Sequence, residues 1–171
     1  MILSLEEIKR QIASGEIKAI SLDTSIFDQK QNGLEYGLLK RLQQFKGSEI
    51  TFVLSDVVLQ EVKSHILQSS IDSNKALKEV LKQVGNSWNI PRDKRNDVTQ
   101  ILLNNVSPEV NTQLLIDTYL ETTGAIIIKA DDYVSVAELV ERYFGSRPPF
   151  GCNETKKHEF PDALAVLTLD A

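Results

Sequence analysis

Three carboxylates in this chain stand where local pattern gives way to chemistry. Asp23 ends the apolar run Ile17-Lys18-Ala19-Ile20-Ser21-Leu22 and is followed by two hydroxyls, Thr24 and Ser25. Such a run, bounded by Gly15 and a polar loop, reads as a buried strand. In open α/β sheets ligands gather beyond the carboxyl ends of strands, which is where Asp23 falls. Glu61 lies three residues after Val58 and four before His65, on a helix face bordering an apolar stripe. Asp162 heads the series Asp162, Ala165, Val166 and Leu169, spaced i, i+3, i+4 and i+7, so it points inward or at the sheet edge. Each acid also has an ordinary explanation: a turn or helix cap for Asp23, a solvated helix glutamate for Glu61, a favourable dipole position for Asp162.

If the three converge, their mutual repulsion raises their pKa values unless a cation neutralises them. Oxygen-only ligands with room for water suit Mg²⁺ or Mn²⁺, which activate a water and stabilise charge on a phosphoryl group. The chemistry implied is phosphodiester hydrolysis. Spacing in the sequence does not by itself bring residues this far apart together.

The elements that would position these acids can be read in order. Ser4 and Glu7 form a capping box before Leu5, Ile8 and Ile12, predicting a leading helix that Gly15 ends. Asn32 with Glu35 predicts a helix with Leu34, Leu38, Leu42 and Phe45 in one stripe, closed by Gly47. Ile50 to Leu54 is a second strand, continuous and apolar as if covered on both faces, and Ala125 to Ile128 is a third of the same kind, followed by Asp131 and Asp132. Ser55 caps a helix from Asp56 that breaks near Ser69 and resumes to about Val84. Residues 85 to 96, GNSWNIPRDKRN, read as an exposed loop whose Arg92, Lys94 and Arg95 are interleaved with acids, and a short helix is expected from Val98 to Asn104. Ser107 and Pro108 open a helix that Gly124 ends, Ser135 and Glu138 box another that stops at Gly145, and Pro161 suits the first turn of the last. Strands alternating with helices predict an α/β protein with a mainly parallel sheet between helical layers.

Composition narrows the classes. With 171 residues of which 42% are hydrophobic, one domain with a sizeable core is expected. Twenty-four acids against 19 bases, net −5, exclude an overall basic field, so any nucleic-acid contact must be local and single strands are favoured over duplex. One cysteine, Cys152, excludes an internal disulfide and suits a reducing cytosol, and two histidines are too few for a histidine-based metal site. No apolar run of about 18 residues and no export signal is present, so a cytoplasmic protein without membrane association is expected. A phosphatase using Asp23 as nucleophile is disfavoured because Ser25, not a second Asp, stands two residues on.

The stretches LDTSIF, LQEVKSH and above all RPPFGCNETKKHEFPDALAVLTLDA resemble the PIN-domain superfamily, in a bacterial branch with PPF followed by KKxEFPDA. The resemblance spans nearly the whole chain and implies a three-layer α/β/α metal-dependent ribonuclease, with Asp23, Glu61 and Asp162 as the first three acids of its site. It makes Asp23 and Asp162 metal ligands, Glu61 a further ligand or the orienter of the attacking water, and Thr24 or Ser25 the assisting hydroxyl. Lys156 and Lys157, on the basic loop before Asp162, are candidates to contact substrate phosphates, as is His158 if it is more than an exposed loop residue. PIN domains usually carry a fourth acid after a further strand, so residues 1–171 are expected to be a single PIN-like domain lacking its last strand through C-terminal truncation. The expected activity is Mg²⁺- or Mn²⁺-dependent cleavage of RNA rather than DNA. The alternative keeps the fold as a noncatalytic binding or regulatory module, as a homo-oligomer or within a larger assembly.

Overall fold

A computed structural model describes residues 3–30, 33–150 and 159–170 of the chain. They divide into two compact units, Met1–Val62 with Tyr119–Ala171, and Lys63–Thr118.

The first unit is built on a parallel sheet of three strands, β1 (Ala19–Ile20), β2 (Thr51–Ser55) and β3 (Ile126–Ile128), in the order β1-β2-β3. Ala19 pairs with Thr51, and Val53 pairs with Ile126. Central β2 is the apolar strand its sequence predicts, with Phe52 and Leu54 fully buried; burying each such side chain is worth about 1.5–3 kcal/mol. The α/β class and the parallel sheet are as expected. Coverage of both faces of β3 is not: it is an edge strand, and Ile126 is 55% exposed.

Helix α1 (Leu5–Ala13) starts where the capping box puts it, Ser4 Oγ accepting from the Glu7 amide at 3.2 Å. After β1 comes α2 (Thr24–Gln29), whose Phe27 is buried. The next helix differs from expectation. Gly37 takes φ +56°, a left-handed conformation that delays helix α3 to Gly37–Arg41, continued by a 3-10 turn over Leu42–Phe45. The later start changes the register, so Leu39 rather than Leu38 is buried beside Leu34 and Leu42, while the cap predicted at Asn32 lies outside the described residues.

Helix α4 (Asp56–Ser87) follows β2, Ser55 Oγ accepting from the Val57 amide at 3.2 Å as its cap. It runs unbroken past Ser69 and through Gly85, where a loop was predicted. Arg92–Leu102 then forms α5, so Arg92, Lys94 and Arg95 are helical, and Pro108–Thr123 forms α6. Gly85 is tolerated because the Arg95 side chain packs across it; a side chain at position 85 would collide with that guanidinium. Tyr119, near the end of α6, meets Phe27 and Phe52 edge-on at 6.2 and 6.4 Å. Its hydroxyl is buried without a partner, and burial pushes the phenol well above its ordinary value near 10. Helices α7 (Val136–Phe144) and α8 (Phe160–Asp170) complete the first unit, α8 packing on β2 and on a 3-10 turn over Ala130–Asp132.

Candidate active site

Asp23 lies where the chain leaves β1 for α2. Its extended backbone (φ −78°, ψ 152°) makes it the N-cap of α2, and Oδ1 accepts from the Ser25 amide at 2.7 Å. The capping explanation of Asp23 is therefore correct, yet it occupies one of two carboxylate oxygens. Ser25 itself is exposed and enters through its backbone. Thr24 is half-buried, and its Oγ1 donates to Glu61 Oε2 at 2.7 Å, joining the end of β1 to the second turn of α4 across 37 positions.

Asp162 arrives from the other end of the chain. Two residues before it, Phe160 lies against Tyr143 and Phe150 with ring centroids 4.6 and 5.1 Å apart, and Tyr143 meets Phe150 at 5.4 Å. Aromatic pairs of this kind add about 0.5–1.5 kcal/mol each beyond their buried area. The cluster fixes the entry of α8, and it gives the PPF and EFPDA stretches a shared physical role: their phenylalanines meet edge to face.

The result brings Asp23 and Asp162 to one cavity, while Glu61 lines a neighbouring one and reaches the pair through Thr24. Asp23, Thr24, Val58, Asp162, Val166 and Leu169 line one cavity of about 210 Å³. The Asp162 carboxyl is held above the usual carboxylate range, first by desolvation and then by the negative charges of Asp23, Glu61 and Glu159. The face of α8 that carries Asp162 also corrects an expectation. Of the predicted stripe Ala165 is buried, but Val166 and Leu169 are 51% and 38% exposed and form the cavity wall, while Ala163, Leu167 and Thr168 complete the buried face. Lys156, Lys157 and His158 lie outside the described residues.

Ser21 and Asp56 were not singled out from the sequence, whereas Asp131 and Glu159 stood out in it without a ligand role. Ser21 Oγ lines the same cavity and is buried without a hydrogen-bond partner; its only signal was its place two residues before Asp23, on the same face of an extended chain. Asp56 Oδ1 accepts from the Ala130 amide at 3.0 Å, tying the start of α4 to the end of β3. Asp131 shares a second cavity, of about 600 Å³, with Glu61, Val136, Leu139 and Pro161. Glu159 enters as a third negative charge acting on Asp162.

Among the described residues, no three His, Cys, Asp or Glu side chains stand close enough to hold a metal ion by themselves. The donor set nevertheless fits a hydrated hard cation. Mg²⁺ keeps several waters and takes only one or two carboxylates, and the cavity offers two, Asp23 and Asp162, beside the hydroxyls of Ser21, which has no partner, and Thr24.

A sequence model of the PIN domain matches residues 20–171. The chain belongs to the PIN domain family. No curated protein and no solved structure matches it. PIN domains are in general nucleases that act on nucleic acid and typically use divalent metals. The three-stranded parallel sheet and largely helical surroundings agree with a PIN-like fold lacking strands. Among the described residues of this PIN domain, no helix is long and apolar enough to cross a membrane.

Proposed function

We propose that residues 1–171 act as a single PIN-like domain in the cytoplasm, an endoribonuclease that cuts single-stranded RNA with Mg²⁺ or Mn²⁺ held by Asp23 and Asp162. The observation that carries this reading is the cavity that Asp23 and Asp162 line together, where partial desolvation and the charges of Asp23 and Glu61 raise the Asp162 carboxyl. A bound divalent cation supplies the missing positive charge and lowers the pKa of water. Within the chain, Thr24 holds Glu61 by its hydroxyl, leaving Glu61 Oε1 to orient the attacking water. Ser21 Oγ offers that water a second partner at the cavity wall. Single strands are the favoured substrate because the chain carries no overall basic field with which to track a duplex.

The test is cleavage of a labelled single-stranded RNA with Mn²⁺, with and without chelator, by the native protein and by Asp23→Asn and Asp162→Asn. Cleavage that stops with chelator and with either substitution is expected. Cleavage indifferent to all three rejects the site, and cation binding without any cleavage turns the reading to a noncatalytic module.

A further inference from the structure

The second unit contains a cavity of about 440 Å³ between the C-terminal part of α4 and the face of α5. Its charged lining is Lys78, Lys82, Arg92 and Arg95 against the single acid Glu79. The spacing is what makes this a site. Lys78, Lys82 and Asn86 recur every four residues on α4, and Arg92, Arg95 and Thr99 fall at i, i+3 and i+7 on α5, so each helix presents a donor-rich face to the cavity. Such local concentration of cations contrasts with the chain's net charge of −5.

Arg95 is the built element. Its Nε is buried with no hydrogen-bond partner, and its Nη1 makes only a long bond of 3.4 Å to the Lys82 carbonyl. A guanidinium carries five N–H donors and cannot shed its charge; with Nε and Nη1 seated against Gly85 the fork is held in place, and its remaining donors are left for an anion in the cavity that Arg95 lines. The seat that holds it is specific: a Cβ at Gly85 would stand 2.8 Å from both Nε and Nη1. Gly85 is thus kept bare inside a helix, at a cost in helix propensity, and the space goes to Arg95.

We propose that this cavity binds a phosphate group of a single-stranded nucleic acid, with Arg95 as the fixed donor and Lys78, Lys82 and Arg92 neutralising its neighbours. Guanidinium geometry matches phosphate oxygens, and phosphates are the anions a nucleic-acid strand presents in series. Trp88, the chain's sole tryptophan, is 79% exposed two residues beyond Asn86, and gives passing bases a ring to stack on. The strand as ligand rests on the nucleic-acid reading above, whereas the cavity itself does not.

The experiment titrates a labelled single-stranded oligoribonucleotide, and separately inorganic phosphate, in chelator so that no strand is cut. It reads anisotropy and Trp88 fluorescence for the native protein, the exposed-site double variant Lys82→Gln/Arg92→Gln, and Gly85→Ala, with circular dichroism confirming the fold of each. Native protein is expected to bind the strand with quenching of Trp88. The double variant should bind about 10-fold or more weakly, its salt dependence shallower by about 1.4 in log–log slope, as two lost phosphate contacts require. Gly85→Ala should also weaken binding although no charge is removed and alanine is the better helix former. Equal affinity for native and double variant overturns the cavity, and Mn²⁺-dependent cleavage that persists in that case leaves the nuclease reading standing. Binding lost in the variants, with no cleavage by any preparation, keeps the cavity and removes the nuclease reading. Phosphate binding without strand binding overturns the strand as ligand.

Discussion

The cavity at Asp23 and Asp162 gathers carboxylates, and the cavity between α4 and α5 gathers cations. The first is assembled from remote segments: a strand end, the first turn of a helix and the first turn of another near the end of the chain, flanked by the Thr24–Glu61 hydrogen bond and by the aromatic cluster that seats α8. The second needs only two helices consecutive in the chain and one missing side chain at Gly85. Both line a cavity with like charges, and both carry a buried polar atom without a partner, Ser21 Oγ in one and Arg95 Nε in the other. The acids call for a cation and the bases for an anion, and phosphodiester chemistry supplies both roles.

That contrast is most easily broken at the acids. Asp23→Asn or Asp162→Asn is expected to lower Mn²⁺-dependent cleavage by about 10²-fold or more, the scale of losing one charge-stabilising group, while strand affinity in chelator stays within about twofold. Affinity that falls in step with cleavage would show the two cavities to be one functional site.

Next in size is the support beneath Asp162. Phe160→Ala, which removes a half-buried ring from the Tyr143–Phe150 cluster, should cost about 2–3 kcal/mol in urea denaturation, just under the range for a fully buried Phe. Cleavage should drop with it, whereas Lys82 and Arg92 should bind the strand as before. Unchanged stability in the Phe160→Ala variant removes the cluster from the account of how α8 is placed.

A smaller effect sharpens the electrostatic half. Because the folded Asp162 carboxyl is raised above its ordinary 3.8, the native state binds that proton more tightly than the unfolded chain does. The stability this contributes is complete below 3.8 and is lost as pH climbs through the raised value. Asp162→Asn should therefore stabilise the fold at neutral pH without divalent cations, by no more than about 1 kcal/mol for so exposed a group, with the advantage fading in acid. Adding Mn²⁺ should raise the melting temperature of the native protein and not of the variant. Native and variant melting curves that stay parallel across pH argue that the acids do not strain the fold.

The least effect sets a neutral reference. Tyr119→Phe deletes a buried hydroxyl that has no partner and keeps the ring contacts to Phe27 and Phe52, so it should be neutral to stabilising by about 1 kcal/mol. A loss of stability would reveal a partner for that hydroxyl.

Much of this was legible before any coordinates. The caps at Ser4, Ser55, Ser107 and Ser135 act locally, through hydrogen bonds of two or three residues' reach, and all four sit where the sequence placed them. The continuous apolar run of β2 announced a central strand for the same reason. Two helix boundaries beside glycines were not legible, although Gly15, Gly124 and Gly145 end helices as read. Gly37 delayed a helix by turning left-handed, and Gly85 failed to stop one because a guanidinium ten residues on occupies the space beside it. Neither outcome is written in the glycine itself; each depends on what the chain does around it.

The sequence by itself determined which residues could do chemistry here and in what elements they sit, since residue type, helical spacing and capping are properties of neighbours along the chain. Only the tertiary structure decided that Asp23 and Asp162 share one cavity, that Thr24 rather than Ser25 reaches Glu61, and that Arg95 leaves a scattered run of charges to lie against α4. The physical reason is range. Hydrogen-bonded turns are settled within a few residues, whereas repulsion between carboxylates and the seating of a guanidinium on a bare helix position exist only once segments distant in sequence have been packed side by side.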